Sequence, residues 1–381
     1  MRIVHIANFY NDRSGGIKTT ITHLGNRYQK IGHEFIYLVP GIKFSVETRA
    51  HGLQISLPSL PIPFSGGYRV IRSNREIKKI LALLNPERIE ISDRLTLRKI
   101  GLWARSRSIH SVVFSHESLE SLVTRFAKFK VLKEIVAWHN RRLAQSFDWV
   151  ITTTEFAAQE FKRIAVPNLK KIPLGVDLEI FQPLKRDEIL REELLQGSEI
   201  LIVHCGRLSI EKNPEQSLAA LRVLHQRGVK ARLVYVGMGP LFKRLQKKSS
   251  NLPVTFLGYV VNPHKVASLL ASADVVLAPG PHETFCLAAL ESLACGTPVI
   301  ASRLSAVSEI LRINNLPVGK VCGENPLEWA DAIIDLHKRQ GLRERSRSRA
   351  EEFSWSATIR GLIATHDESA VPISTKSKEA A

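Results

Sequence analysis

The sequence has little of what would mark a membrane-spanning, secreted or metal-binding chain. No stretch of about 18 uninterrupted apolar residues occurs, which is the length that a transmembrane helix needs. The first ten residues, MRIVHIANFY, lack the basic region, long apolar core and small-residue cleavage site of a signal peptide. Four cysteines occur in 381 residues, and none belongs to a CxxC pair. We therefore expect reduced thiols and a cytoplasmic protein.

Charge, in contrast, is plentiful and unbalanced. The 54 Lys and Arg residues exceed the 36 Asp and Glu residues, which gives a formal net charge of +18. Residues 1–150 carry 24 basic residues against 11 acidic ones, so most of the excess lies in the first half. Such an excess favours nucleic acid, anionic lipid or a phosphorylated substrate as a partner, although an ordinary solvated basic surface gives the same count. No zinc finger or RNA-binding signature favours nucleic acid.

The first half alternates short apolar runs with helical patterns, which favours a parallel, doubly wound sheet. The predicted elements are a strand at 2–7, a turn-rich loop at 11–16, a helix at 17–31, a strand at 34–41 and further strands at 88–92, 111–116 and 149–154. The strand, glycine-containing loop, helix and strand at the start make one βαβ unit.

The second half repeats this alternation more regularly after a proline-rich segment at 166–186, where we place the domain junction. The predicted elements are strands at 199–208, 231–237, 254–260, 274–280 and 297–302, with helices at 214–227, 266–273 and through LAALESLACG. The sequence therefore predicts an N-terminal domain over 1–170, a C-terminal domain over 171–350, and a helix with a disordered tail over 351–381.

The segment PGPHETFCLAALESLACGTPVIAS, residues 279–302, carries the strongest functional signal. A predicted strand ends at Pro279–Gly280, so the turn after it lies where open α/β sheets bind ligands. Glu283 and Glu291 are eight positions apart and could reach two ends of one ligand, unless they merely cap the helix and face solvent. Backbone amides at the start of the expected helix favour a phosphate group. Those amides belong to Phe285, Cys286 and Leu287.

A second segment, HCGRLSIEKNPE at 204–215, follows another predicted strand. It brings Gly206, Arg207 and, five residues later, Lys212 into a loop that precedes a helix. Two cations beside a flexible glycine suit a diphosphate, whose negative charge must be offset when it departs as a leaving group. The alternative is a pair of surface cations.

Strand ends in the first half supply weaker candidates. Gly15 and Gly16 would let the backbone approach a ligand closely, although the dinucleotide pattern GxGxxG is absent and a double glycine is more often only a turn. His116 ends a predicted strand in FSHES, and Asp93 has a similar place in ISDRL. A lone histidine is usually a structural residue.

Together these loops resemble a known family. SGG in the first loop, GRLSIEKN at 206–213 and the two glutamates of HETFCLAALESLACGTPVIAS are similar to motifs of the GT-B glycosyltransferases of family GT4. PLGVDLEIF at 173–181 and YVGMGP at 235–240 extend the likeness, which is strongest over 170–311. The resemblance implies an α/β protein of two Rossmann-like domains with the active site in the cleft between them. It also implies sugar transfer with retention at the anomeric carbon.

The resemblance further implies roles for single residues in binding the donor. Arg207 and Lys212 would hold its diphosphate, assisted by Gly15 and Gly16 and by the amides that follow Thr284. This cationic arrangement takes the place of a metal ion, and neither a DxD motif nor a carboxylate–histidine cluster predicts one.

The sugar and ribose ends of the donor are assigned in the same way. Glu283 would bind hydroxyls of the transferred sugar, and Glu291 would bind the ribose hydroxyls of the nucleotide. His116 would lie near the reacting side of the donor sugar, where it hydrogen-bonds a hydroxyl or assists the acceptor.

Within the family, ANFYNDRSGGIKTT, ISDRLTLR and SHESLE are most similar to the GDP-mannose-dependent phosphatidylinositol mannosyltransferases. This implies GDP-mannose as donor, a glycolipid acceptor, an anionic membrane surface as partner, no nucleic acid and no cofactor. The alternatives are a GT4 transferase for another nucleotide sugar or acceptor, a sugar-nucleotide epimerase of the same fold, or a nucleic-acid-binding protein suggested by charge alone.

Two basic segments are candidates for the membrane contact. Residues 68–84, YRVIRSNREIKKILALL, would on a helix separate into an apolar stripe and a basic flank, and residues 125–142 combine basic and aromatic side chains, including Trp138. The alternative for each is an ordinary amphipathic helix that covers the sheet and turns its cations to solvent.

Overall fold

The computed structural model of the protein describes residues 1–10, 16–63, 67–116, 119, 130–313 and 316–368. Contacts within the chain divide it into two compact units, one of Met1–Pro173 with the chain from Ser356 onward, the other of Leu174–Trp355. The sequence predicts boundaries at 170 and 350 and a separate final segment. In the structure the last helix belongs with the first unit, and the predicted disordered tail lies beyond the described residues.

The first unit is built around one sheet. Its strands are β1 (Arg2–Ile6), β2 (Glu34–Gly41), β3 (Ser45–Arg49), β4 (Gly52–Pro61), β5 (Arg69–Ile71), β6 (Arg88–Ile91), β7 (His110–Ser115), β8 (Trp149–Thr152) and β9 (Leu169–Lys171). Its helices before the domain junction are α1 (Gly16–Lys30), α2 (Asn74–Leu84), α3 (Arg98–Arg105), α4 (Lys130–Ala144) and α5 (Glu155–Lys162). The five strands predicted in this half are confirmed.

Among the described residues the strand order is β3-β4-β2-β1-β6-β7-β8-β9, with β5 beside β4. All pairs are parallel except those of β3 and β5 with β4. Strands β1 and β2 are nearly continuous buried runs, as expected for strands covered on both faces. The chain winds outward from β1 in both directions, so the winding reverses between β1 and β6. Ligands of open α/β sheets bind beside such a reversal, at the carboxyl ends of the strands.

The second unit contains a smaller sheet and a short hairpin. Its strands are β10 (Ile200–Cys205), β11 (Ala231–Val236), β12 (Val254–Gly258), β13 (Val275–Ala278), β14 (Val299–Ser302), β15 (Arg312–Ile313), β16 (Leu316–Pro317) and β17 (Gly319–Cys322). Its helices are α6 (Glu188–Leu195), α7 (Pro214–Gln226), α8 (Phe242–Lys248), α9 (Pro263–Ser272), α10 (Leu287–Ala294), α11 (Pro326–Lys338) and α12 (Leu342–Glu351). The chain then enters α13 (Trp355–Asp367).

In this unit the described strands run in the order β12-β11-β10-β13-β14-β17, and every pair is parallel. The winding reverses between β10 and β13. The two segments with the strongest functional signal in the sequence follow these two strands directly, so their loops meet at one place on the sheet edge. The predicted parallel, doubly wound arrangement is therefore confirmed for both halves of the chain.

Helix α13 is fixed to the first unit by polar contacts as well as by packing. The Thr358 hydroxyl donates to the carbonyl oxygen of Pro173 at 2.8 Å, and His366 Nε2 lies 3.0 Å from Glu90 Oε1 in the middle of the sheet. An added Cβ at Gly361 would lie 3.3 Å from the side chain of Ile172. The described end of the chain is thus part of the first unit's core.

The interpretation of residues 68–84 as one amphipathic helix is wrong. Residues 69–71 form β5, and the helix begins only after Ser73, whose hydroxyl accepts a hydrogen bond from the amide of Glu76. Ile77 and Leu81, on the predicted apolar stripe, are completely buried in the core. The stripe therefore serves the fold and is not available to a membrane. No helix among the described residues is long and apolar enough to span a bilayer.

Candidate active site

In the second unit, the backbone of the loop after β10 packs closely against that of the loop after β11. Gly206 has φ 156°, and a Cβ on Gly237, whose φ is 141°, would lie 1.9 Å from the Gly206 carbonyl oxygen. A Cβ on Gly239 would lie 2.3 Å from the Leu208 oxygen. The loops after β10 and β11 consequently lie against each other, which glycine alone permits.

This loop carries the basic end of an ion pair. A short 3₁₀ turn at Ile210–Lys212 ends the loop, and Lys212 Nζ lies 2.5 Å from Glu283 Oε1. The side chains are 35% and 13% exposed. Burial lowers the pKa of Lys212, but the neighbouring Glu283 carboxylate more than reverses this and raises that pKa above its usual value. Lys212 is therefore firmly protonated in the absence of any ligand.

Gly280 brings the two loops into contact. An added Cβ there would lie 2.9 Å from the Glu211 carbonyl oxygen, 3.1 Å from Glu283 Oε1 and 3.2 Å from Lys212 Cα. Any side chain at this position would push the Lys212 turn away from the loop after β13. The glycine of the predicted strand end is therefore required by the close approach of the two site loops.

The loop that carries Glu283 has two residues with left-handed backbone, His282 with φ 69° and Cys286 with φ 67°. The His282 amide donates to Leu304 O at 2.9 Å, and Glu283 O accepts from the Ala306 amide at 2.8 Å. Helix α10 begins at Leu287, two residues after the predicted start near Phe285. Its N-cap is Cys286, which makes no side-chain capping bond. Glu283 therefore does not cap this helix, and the capping alternative is wrong.

Glu291 lies on α10, partly exposed and without a hydrogen-bond or ion-pair partner among the described residues. Burial raises the pKa of this carboxyl to about 7. A carboxylate with no cation beside it is ready to accept hydrogen bonds from neutral hydroxyl groups.

Arg207 lies between β10 and the Lys212 turn, partly exposed. Its carbonyl oxygen accepts from the Ser209 amide at 2.9 Å, which closes a tight local turn. Arg207 therefore shares the loop of Lys212, as the sequence predicts.

The thiols near this site are not nucleophiles. Burial raises the pKa of Cys286 to about 12 and also raises the pKa of Cys205. Both groups are accordingly protonated at neutral pH, and a thiol is a far weaker nucleophile than a thiolate.

In the first unit His116 directly follows β7. Its Nε2 atom lies 2.8 Å from Ser92 Oγ, at the carboxyl end of β6. Burial lowers its pKa to about 4, so the ring is neutral at pH 7. Ser92 also contacts His5 in the interior of the sheet, at 2.9 Å. His5 and Ser92 were missed in the sequence, although a histidine within the apolar run RIVHI was a visible signal.

Asp93, the other strand-end candidate, has a structural role. Asn8 Nδ2 donates to its Oδ2 atom at 2.8 Å, and the Leu95 amide donates to Oδ1 at 2.7 Å. The adjacent Arg94 forms a buried ion pair with Glu160. These contacts fix the turn after β6 and occupy the carboxylate.

The remaining predicted residues belong to the first loop and to the segment beside Glu283. Gly15 is outside the described residues, and Gly16 is the first residue of α1, where an added Cβ would meet no described atom within 4 Å. Thr284, Phe285 and Leu287 lie on the loop or helix start beside Glu283, with Phe285 buried against Phe353. Among the described residues no group of three or more His, Cys, Asp or Glu side chains could hold a metal ion.

Sequence comparisons identify the family. Residues 14–180 match the family described as Glycosyltransferase Family 4, and residues 185–353 match Glycosyl transferases group 1. Over 368 residues, 96% of either chain, the sequence is 43% identical to the GDP-mannose-dependent alpha-(1-6)-phosphatidylinositol dimannoside mannosyltransferase of Mycobacterium tuberculosis. The chain belongs to glycosyltransferase family 4. It is a glycosyltransferase, as the loop motifs predict, and this similar relative is a mannosyltransferase.

More distant proteins share the fold. The chain is 29% identical to alpha-monoglucosyldiacylglycerol synthase of Streptococcus pneumoniae over 79% of this chain and 71% of the relative. Sucrose-phosphate synthase from Thermosynechococcus elongatus superposes with a TM-score of 0.76 at 20% identity, over 96% of this chain and 98% of that one. Anabaena Alr3699/HepE in complex with UDP and glucose superposes with a TM-score of 0.74 at 16% identity, over 95% of this chain and 98% of that one. These structures confirm the predicted GT-B class with two Rossmann-like domains.

Proposed function

We propose that this glycosyltransferase moves mannose from GDP-mannose to a phosphatidylinositol mannoside glycolipid at the cytoplasmic face of a membrane, with retention at the anomeric carbon. The Lys212–Glu283 pair carries the proposal, because it sets a firmly protonated cation at the point where the winding of the second sheet reverses. The 43% identical mannosyltransferase supports the choice of donor and acceptor.

Stabilisation of the leaving group is the main task of the second unit. As the bond between mannose and diphosphate lengthens, negative charge develops on the diphosphate. Lys212 remains charged throughout, since Glu283 raises its pKa, and Arg207 adds a second cation on the same loop. The amino end of α10 adds backbone amides without a competing side-chain cap. Loss of one such preorganised group costs about 10²- to 10³-fold in turnover.

The two glutamates would position the donor. Among the described residues, Glu283 contacts Lys212 through Oε1, so Oε2 is left to accept a hydrogen bond from a hydroxyl of the mannose. Glu291 would accept hydrogen bonds from the ribose hydroxyls, which suits a carboxylate that has no cation beside it. Binding would thus give the ionised Glu291 carboxylate hydrogen bonds that the described residues do not provide in the free protein.

Retention is what the resemblance to this family implies, and the lack of a suitable nucleophile among the described residues of the site argues against a double displacement. Cys205 and Cys286 are protonated thiols, and Glu283 is already paired with Lys212. We infer attack by the acceptor hydroxyl on the same face of the sugar, with the departing diphosphate accepting the proton. A trapped covalent mannosyl-enzyme would overturn this part of the proposal.

Helix α4 supports contact with an anionic membrane better than α2 does. On α4 Trp138 is 55% exposed, Ile135 is also exposed, and the Arg142 guanidinium lies 4.7 Å from the Trp138 ring centre. An exposed aromatic beside cations is typical of side chains that enter the headgroup region. Co-sedimentation with liposomes tests this point: equal recovery with and without anionic lipid would count against it.

A ligand panel followed by turnover tests the function itself. Because a ligand stabilises the folded state by mass action, GDP-mannose should raise the melting temperature more than UDP-glucose or ADP-glucose. Radiolabel from GDP-mannose should then pass into organic-soluble lipid when a phosphatidylinositol mannoside is supplied. Lys212→Met should lower this transfer at least 100-fold, whereas the exposed Lys247→Met serves as the matched control. A larger shift with UDP-glucose would favour a different nucleotide sugar.

A further inference from the structure

Two aromatic side chains in the middle of the second sheet reach the start of α7. His204 on β10 and Tyr235 on β11 are partners in the parallel register, and their ring centres lie 5.4 Å apart. The Tyr235 hydroxyl donates to the carbonyl oxygen of Pro214 at 2.7 Å, and His204 Nδ1 lies 3.0 Å from Ser217 Oγ. Both rings are buried. We call His204 and Tyr235 the α7 clamp.

The α7 clamp holds the part of the helix that immediately follows the Lys212 turn. Pro214 is the first residue of α7 and lies two positions after Lys212. The residue between them, Asn213, has φ 48° and is the N-cap of α7, but its side chain makes no capping bond. The first turn of α7 therefore lacks the side-chain cap that commonly fixes a helix start, and the α7 clamp attaches that turn to the sheet instead.

Both members of the α7 clamp are neutral at pH 7. Burial raises the pKa of Tyr235, so the phenol keeps the hydrogen that it donates to Pro214. Burial, and after it the charge of Lys212, lower the pKa of His204 to about 3. A neutral imidazole can bond the Ser217 hydroxyl as donor or as acceptor, so this contact is compatible with either tautomer.

The rest of α7 is attached to the sheet without the α7 clamp. Leu218, Leu221 and Leu224 are buried in the core of the second unit, and this packing needs no polar contact. Loss of the Tyr235 hydroxyl would therefore leave the body of the helix in place. It would loosen the first turn and, with it, the Lys212 turn that precedes it.

We propose that Tyr235 and His204 are positioning residues for Lys212, which hold the start of α7 and thereby keep the Lys212 ammonium beside Glu283. Lys212 and Glu283 lie on different loops, so their contact of 2.5 Å depends on the position of the Lys212 turn. That position is a property of the free protein. Its importance for sugar transfer rests on the proposed function.

Nitrogen–proton NMR of the lysine ammonium groups tests the position of Lys212 without substrate. An ammonium held in an ion pair exchanges its hydrogens slowly with water, so Lys212 should give a signal that is absent in Lys212→Met. Tyr235→Phe keeps the ring that stacks on Phe256 and removes only the hydroxyl. We expect the Lys212 ammonium to exchange about 5-fold faster in Tyr235→Phe, a factor typical of one lost hydrogen bond.

Tyr37→Phe is the matched control, because it removes a buried, hydrogen-bonded phenol hydroxyl from the first unit. It should leave the exchange of the Lys212 ammonium unchanged. An equal exchange rate in wild type and Tyr235→Phe, an equal acceleration in Tyr37→Phe, or no Lys212 signal in the wild type would overturn the proposal.

Steady-state kinetics test the consequence for transfer. Tyr235→Phe should lower kcat about 10-fold, because a misplaced cation stabilises the departing diphosphate less, and the KM for GDP-mannose should change less than kcat. In a Lys212→Met background the same substitution should have no further effect, because the cation that it positions is gone. A purely structural role would lower the rate by the same factor in both backgrounds. Ser217→Ala, which removes the hydroxyl beside His204, should act in the same direction as Tyr235→Phe.

The two readouts separate the possible failures. If no transfer from GDP-mannose is found, but Tyr235→Phe accelerates exchange of the Lys212 ammonium, the proposed function fails and the α7 clamp stands. If transfer occurs and Tyr235→Phe acts equally with or without Lys212, or no more than Tyr37→Phe, the α7 clamp fails and the proposed function stands.

Discussion

Replacement of Glu291 by glutamine should stabilise the free protein at high pH. Burial raises the pKa of this carboxyl from 4.5 to about 7, and among the described residues it has no ionic partner. A carboxyl whose pKa is higher in the folded than in the unfolded state contributes stability below the unfolded value. That contribution is lost as the pH rises through the folded value. The wild-type protein therefore becomes less stable between pH 4.5 and about 7 on account of Glu291.

The rise in the pKa of Glu291 determines how much the unfolding free energy changes with pH. A difference of one pKa unit corresponds to about 1.4 kcal/mol, so ionised Glu291 destabilises the folded state by about 3 kcal/mol at pH 8 and by about 1 kcal/mol at pH 5.5. Glutamine removes this pH-dependent part and adds a constant cost for its own burial. The difference in unfolding free energy between Glu291→Gln and wild type should thus change by about 2 kcal/mol between the two pH values.

Urea unfolding of both proteins at pH 5.5 and 8 measures this change. Glu193→Gln, which alters an exposed carboxylate on α6, is the matched control and should show no such dependence. Equal differences at the two pH values would refute the reasoning. If Glu291 binds the ribose as proposed, the ribose hydroxyls stabilise its ionised form, and nucleotide should bind with release of a proton near pH 7. Titration calorimetry in buffers of different ionisation enthalpy detects that release.

Three further outcomes follow from the structure. Gly280→Ala should raise the KM for the donor about 10-fold and cost about 1–3 kcal/mol of stability, measured by kinetics and urea unfolding, since its Cβ would meet the Lys212 turn. Acid should destabilise the protein from about pH 6.5 downward, because burial lowers the pKa of His204 to about 3 and the folded state resists its protonation; urea midpoints at pH 7.5, 6 and 5 measure this. Trp138→Ala should reduce recovery with anionic liposomes several-fold and leave nucleotide-induced thermal shifts unchanged.

Much of the fold could be predicted because parallel strands covered on both faces appear as apolar runs. The predicted strand at 199–208 contains β10, and the loops after β10 and β13 lie at the reversal of the sheet, as the strand order requires. The contact between Lys212 and Glu283 was not predictable in the same way. These residues are 71 positions apart, and only the adjacency of β10 and β13 brings them together.

The errors have physical causes too. Amphipathic periodicity at 74–84 indicates a helix with one apolar face, but periodicity alone cannot decide whether that face meets a sheet or a membrane. Ile77 and Leu81 face the core. His5 and Glu90 interrupt two apolar strands and were visible in the sequence as RIVHI and RIEI, yet their partnership depends on a parallel register that no local pattern specifies.

The charge arrangement around Lys212 is consistent with the proposed diphosphate site and shows how such a site could exist without its ligand. A partly buried lysine without an ionic partner would destabilise the fold. Glu283 neutralises the charge of Lys212 and at the same time keeps the lysine protonated. When a diphosphate arrives, Lys212 can add an anionic partner without changing its own protonation state, and Glu283 keeps a second oxygen for a sugar hydroxyl. In the proposed site, one contact therefore positions both the cation for the diphosphate and the carboxylate for the sugar hydroxyl, and we place the centre of that site at the pair.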